Sequence, residues 1–245
     1  MGAWGHGILQ NDTAQDGLVG VIHTIYDDVV ALEKKPTNAK TAARLGAGVG
    51  LLLQLSAGYW FSDDGPSWPK LREVLAQHER AFADVSPEVD RLLADVLAGK
   101  GRELAARDGP PDARLGEALF ATNSDGFPME RTFGLREPAL FAHKEAARYV
   151  QEVADRLVKQ LDDGFADDDV VAFLDEEAEW IAALAVLLVL EPCRVDPDHF
   201  ASWRARFRRA TAADEEDVDQ ESFEARYGAC LERAFQIGID KFAAD

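Results

Sequence analysis

Segment after segment of this chain places apolar residues three and four apart, and that spacing restricts the fold to packed helices. Between residues 13 and 34, Leu18, Val21, Ile22, Ile25, Val29 and Leu32 fall on one stripe with Asp27 opposite, the pattern of a helix with one buried face. His23 projects away from the stripe, towards solvent. The pattern returns in Val89, Leu92, Leu93, Val96 and Leu97, behind a Ser86 cap and a Pro87 first position. It returns again within 138–161 (Ala146, Val150, Val153, Ala154, Leu157, Val158) and within 170–190 (Val170, Phe173, Leu174, Ile181, Leu184, Ala185, Leu188). A last stripe within 221–242 uses Phe223, Tyr227, Cys230, Leu231, Ala234 and Phe242, and makes Cys230 a small hydrophobe. Further helices are predicted over 37–55, 69–84 and from Asp196-Pro197 onward, so the chain reads as an all-α, multi-helix bundle of about eight to nine helices.

Local chemistry marks the ends of these elements. Asn11 or Asp12 caps the first helix, with Gln15 placed for a capping box on Asp12, and Thr37 caps the second. Gly46, Gly48 and Gly50 in the second helix let a neighbour approach closely, because no strand precedes them and no Lys-Ser/Thr follows them to make a phosphate cradle. The aromatics between Tyr59 and Ser67 read as core plugs. His143 falls near the apolar side of its helix and reads as a satisfied core residue. Phe200, Trp203 and Phe207 share one side of the helix after Asp196, with Arg204, Arg206, Arg208 and Arg209 around the rest, available to the acids that follow from Asp214 to Glu221. The turn-rich stretches Arg107–Asp112 and Thr122–Pro128 suggest an N-terminal helical region 1–107, a connecting segment 108–136 and a C-terminal helical region 137–245, able to form two helical subdomains or pack as one domain.

Charge narrows the partners. A net charge of −19 and a pI near 4.6 disfavour nucleic acid and anionic membranes and favour a cationic partner. Cys193 and Cys230 make no disulfide framework in a chain this long, which points to a reducing compartment. The start carries no basic segment followed by an apolar run, and the stretch from Trp180 to Leu190 is too short for a bilayer that needs ~20 residues. A cytoplasmic protein is expected.

One stretch carries a resemblance. Met1-Gly-Ala-Trp-Gly, then Gly7, then Asn11-Asp12 followed by Ala14 and Asp16, resembles the start of an uncharacterised bacterial family, a domain of unknown function. Its members open with this string and usually continue Asp-Trp; Leu9 stands where an aromatic is common and Gly17 where Trp is expected. The match covers about sixteen residues and fades after residue 60. It implies small helical cytosolic proteins without an agreed activity, and no catalytic residue is carried over.

No nucleophile with its base, histidine cluster or Gly-x-Ser-x-Gly elbow stands out, so no catalytic residue, metal or cofactor is assigned. Glu152 with Asp155, and Glu176 with Glu179, are i, i+3 acid pairs of the kind that hold magnesium in all-α pyrophosphohydrolases, but they fall on polar faces and read as solvated. Glu177 interrupts an apolar stripe, so it requires a partner such as a neighbouring Arg or His.

Two functions follow. The first is an acidic binding protein, such as an immunity protein that neutralises a cationic toxin, with Asp63, Asp64, Asp162, Asp163, Asp167, Asp168 and Asp169 as contacts. The second is a small-ligand binder or hydrolase whose site uses Trp4, His6, Asp12 and Asp16 under the glycine-flanked opening.

Overall fold

The computed structural model describes Leu9, Phe61 and residues 12–55, 67–105, 113–120, 137–165, 179–211 and 223–243. Among these residues every regular element is helical, as the spacing required. The elements are α1 (Asp12–Ala31), α2 (Ala39–Leu55), α3 (Trp68–His78), α4 (Pro87–Asp95), α5 (Gly101–Ala105), α6 (Ala113–Phe120), α7 (Lys144–Gly164), α8 (Glu179–Val189), α9 (Pro197–Thr211) and α10 (Phe223–Ala243).

The middle of the bundle is α8. Every residue from Trp180 to Leu190 is buried, so the single stripe expected there becomes a helix covered on all sides, which a run without charged residues permits. Helices from both halves of the chain cover it: α1, α7 and α10 pack on α8, while α2 lies against α1 and α7. Residues of all these helices form one buried cluster. The glycines of α2 set its spacing. A Cβ on Gly48 would lie 2.3 Å from Val29 Cγ2 of α1, and one on Gly50 would lie 2.9 Å from Leu140 Cδ1. The first place needs a residue without a side chain, as the small-residue pattern implied, and at the second a Cβ would require the Leu140 methyl to shift.

Several ends differ from expectation. The α-helical geometry of α1 stops at Ala31 and tightens to a 3-10 turn over Leu32–Lys34. Gln15 reaches back to the Leu9 carbonyl at 3.3 Å. Asn38, one residue beyond Thr37, caps α2, its Oδ1 accepting from the amides of Lys40 and Thr41 at 3.0 and 3.1 Å. Ser86 caps α4 as expected, accepting from the Val89 amide. Gly99, at a φ of 85° that favours glycine, turns the chain from α4 towards α5. The helix expected from Pro138 is split: Pro138–Phe141 is a 3-10 turn and α7 begins at Lys144. His143 is therefore no core residue. Its Nδ1 caps α7 by accepting from the Glu145 amide at 3.2 Å. Phe61 is a core plug, packed on Trp68 with ring centroids 5.7 Å apart and closed over by Gly101.

Among the described residues no helix is long and apolar enough to cross a membrane. Cys230 is buried, which pushes its thiol pKa up and suits a packing role.

Candidate functional site

Acidic and basic side chains are equal in number among the residues whose side chains are described, so the −19 of the whole chain is carried by the remaining segments. Two of these hold most of it. Segment 166–178 contains Asp167, Asp168, Asp169, Asp175, Glu176 and Glu177, and segment 212–222 contains Asp214, Glu215, Glu216, Asp217, Asp219 and Glu221; neither has a lysine or arginine.

The described residues that flank these segments converge. Phe165, which precedes the first, stacks obliquely on Trp180, just after its end, with centroids 4.6 Å apart. Phe165 also meets Phe235 of α10 at 6.0 Å, and Phe235 meets Phe207 of α9 at 5.8 Å. Arg206, in the last turns of α9, donates to the Phe165 carbonyl. The apolar ends of α7, α8 and α9 thus meet around one aromatic cluster.

The candidate contacts of the sequence reading fall out unevenly. Asp162 and Asp163 lie in the last turn of α7, both exposed. Asp162 is already engaged: its Oδ1 accepts from Trp203 Nε1 at 2.9 Å and lies 3.3 Å from His199 Nδ1, tying α9 to α7. Asp163 has no partner among the described residues. Asp63, Asp64, Asp167, Asp168, Asp169 and Glu177 lie outside the described residues, as do Trp4, His6 and the side chain of Asp12. Asp16 is exposed on α1. The arginines of α9 are partly committed inward, but to Glu232 of α10: Arg204 Nε and Arg208 Nε each lie 2.8 Å from its carboxylate. Burial alone would raise the Glu232 pKa; the hydrogen bonds from Arg208 and Arg204 outweigh it and hold the carboxyl below its ordinary value.

A second polar centre, which the sequence reading missed, lies where α1, α2 and α7 meet. Arg44 of α2 grips Glu152 of α7 through two parallel bonds, at 3.2 and 2.6 Å, and its guanidinium lies 5.0 Å from the centroid of the Tyr149 ring. Glu152 therefore does not point away from its neighbours as a solvated acid. The Arg44 hydrogen bond holds its carboxyl below the usual range. Asp28 of α1 accepts from the Tyr149 hydroxyl at 3.0 Å and from Arg156 Nη2 at 2.5 Å. Burial, then the Asp28 charge, push the Tyr149 hydroxyl far above its ordinary pKa, so it stays protonated as a donor. Beside this network opens a groove of about 420 Å³ lined by Asp28, Val29, Ala31, Leu32, Lys35, Lys40, Thr41, Arg44 and Tyr149. The sequence did hold a signal for it: from Lys34 to Arg44 the chain carries Lys34, Lys35, Lys40 and Arg44, and no acid follows Glu33 until Asp63.

Among the described residues no three His, Cys, Asp or Glu side chains are grouped to hold a metal ion. Asp155 is hydrogen-bonded by Gln151 at 2.8 Å, on the exposed side of α7. Compared with models of known families, with curated proteins and with solved structures, the chain matches none.

Proposed function

We propose that this is a binding protein that recognises a cationic macromolecular partner, in the manner of an immunity protein neutralising a basic toxin. Its contacts are the carboxylates of 166–178 and 212–222, among them Asp167, Asp168 and Asp169, joined by Asp163, which has no partner among the described residues. The observation that carries this reading is charge segregation. The described helical body is balanced, and most of the excess negative charge falls in two lysine- and arginine-free segments, 166–178 and 212–222; Arg206, near the end of α9, donates to the carbonyl of Phe165, which precedes the first. Within a Debye length of ~8 Å at physiological salt, acids consecutive in sequence, as Asp167 to Asp169 and Asp214 to Asp217 are, reinforce one another, whereas the same charges spread far apart are screened separately. Such a field speeds the encounter with a basic protein and rejects acidic ones.

Affinity capture from cells, at low and at high ionic strength, tests the proposal. The wild-type chain is run beside a variant carrying Asp167→Asn, Asp168→Asn, Asp169→Asn, Asp214→Asn and Asp217→Asn. A basic protein retained by the wild type at low salt, and lost both at high salt and by the variant, is the expected result. The same proteins on both chains, or no basic protein at low salt, would end this reading.

A further inference from the structure

The groove between α1, α2 and α7 concentrates the opposite charge. Lys35 and Lys40 line it, both exposed and neither ion-paired among the described residues. The other charges along it are already matched: Asp28 by Arg156 and the Tyr149 hydroxyl, and Arg44 by Glu152. Among the described residues, the charges of Lys35 and Lys40 remain uncompensated. Lys40 and Thr41 also occupy the first turn of α2, a helix of 17 residues whose positive end faces this place.

A second observation points to a ligand independently. Thr41 is only 7% exposed, lines the groove, and its hydroxyl has no hydrogen-bond partner among the described residues. Gln54 Oε1 and His78 Nδ1 are the fully buried unpartnered polar atoms among the described residues; the Thr41 hydroxyl is not one of them, so it keeps its access to solvent through the groove that its otherwise buried side chain lines. Its amide is not free to compete, since Asn38 takes it. The hydroxyl is thus a donor held ready among lysines, over an apolar floor of Val29 and Leu32.

We infer that this groove binds a phosphate dianion, free or carried by a small organic body. The charge count selects it: two unmatched ammonium groups meet the −1.5 to −2 that a phosphate monoester carries at neutral pH, roughly one lysine per charge. A carboxylate carries half that charge and is read best by a forked guanidinium, and the fork of Arg44 is occupied by Glu152. Lysines act as point charges, a mode suited to phosphate oxygens, and the Thr41 hydroxyl supplies the directional bond. The volume admits more than the ion alone, since a groove of about 420 Å³ lies in the usual range for small-molecule sites. The Tyr149 ring and the apolar floor provide a surface for an organic body.

Amide chemical shifts of the full chain, followed during titration with inorganic phosphate, glucose 6-phosphate and acetate, test the site. Saturable shifts at Lys40, Thr41 and Arg44 with at least one phosphate species, and not with acetate, are expected. Tighter binding of glucose 6-phosphate assigns a phosphorylated small molecule, and tighter binding of inorganic phosphate assigns the free ion. Replacing both lysines (Lys35→Gln with Lys40→Gln) should weaken binding at least about tenfold without moving the melting temperature, because both side chains are exposed. Thr41→Val should weaken it and Thr41→Ser should restore it, which a loss of packing would not do. No saturable shift with either phosphate species, equal response to acetate, or unchanged affinity in the double lysine variant would overturn the assignment.

Discussion

Two glycines of α2, half a helical turn apart, are expected to respond to the same substitution with opposite signs. A Cβ on Gly46 would meet Val89, Leu140 and Leu93 side chains at 3.6–3.7 Å, ordinary contact distances. Gly46→Ala should therefore gain the helix propensity of alanine, about 0.5–1 kcal/mol. A Cβ on Gly48 would sit 2.3 Å from Val29 Cγ2, with the Val29 Cβ behind it at 3.8 Å. Carbon atoms settle at about 3.5–4.0 Å, so more than about 1 Å of overlap must be relieved. Val29 cannot yield cheaply, because a β-branched side chain in a helix keeps one strongly preferred rotamer. The remaining route is separation of α1 from α2, an overpacking cost of about 1–3 kcal/mol that the propensity gain only partly offsets. We expect Gly48→Ala to destabilise by about 1–2 kcal/mol, read by urea unfolding followed by circular dichroism. In a Val29→Ala background the clash is absent, so adding Gly48→Ala should be neutral or stabilising, a coupling of about 2 kcal/mol. If Gly48→Ala stabilises the wild type as much as Gly46→Ala does, the close approach of α1 and α2 derived from these contacts is wrong.

Two further outcomes check the polar contacts. Asp162→Ala removes the acceptor of Trp203 Nε1 and should cost about 1–2 kcal/mol with a change in tryptophan fluorescence, whereas Asp163→Ala, without a described partner, should stay within about 0.5 kcal/mol. Glu152 has a depressed folded-state pKa because Arg44 hydrogen-bonds its charged form, so its contribution is present above the unfolded carboxylate pKa and is lost as pH falls through the folded value. The stability difference between wild type and Glu152→Gln should thus be largest near neutrality and shrink in acid. Its size should stay below about 1 kcal/mol, since the side chain is 40% exposed and screened by solvent. A difference that grows on acidification would contradict the Arg44 assignment.

What the sequence by itself determined is local: which of the described stretches are helical, which face an amphipathic helix such as α1 or α7 buries, and where Ser86 starts one. These depend on residues within a turn or two of each other, so the spacing of Leu18, Val21, Ile22 and Ile25 suffices to mark a buried face. The same locality explains the errors at helix starts. Thr37 against Asn38, and a continuous helix from Pro138 against a cap at His143, differ by small energies that neighbouring elements tip. The net charge was legible, but its segregation was not, because a count cannot tell which residues pack and which connect. Only the tertiary structure decided which faces meet. It set Arg44 against Glu152 and Asp28 against Tyr149 and Arg156, all far apart along the chain. It also turned Asp162 from a free surface acid into a link between α7 and α9. Lys35, Lys40 and Thr41 become a site only where α7 closes the other side of their groove. Such pairings depend on long-range packing, where many helix arrangements bury similar apolar area and the exact fit of side chains, Val29 over Gly48 among them, selects one.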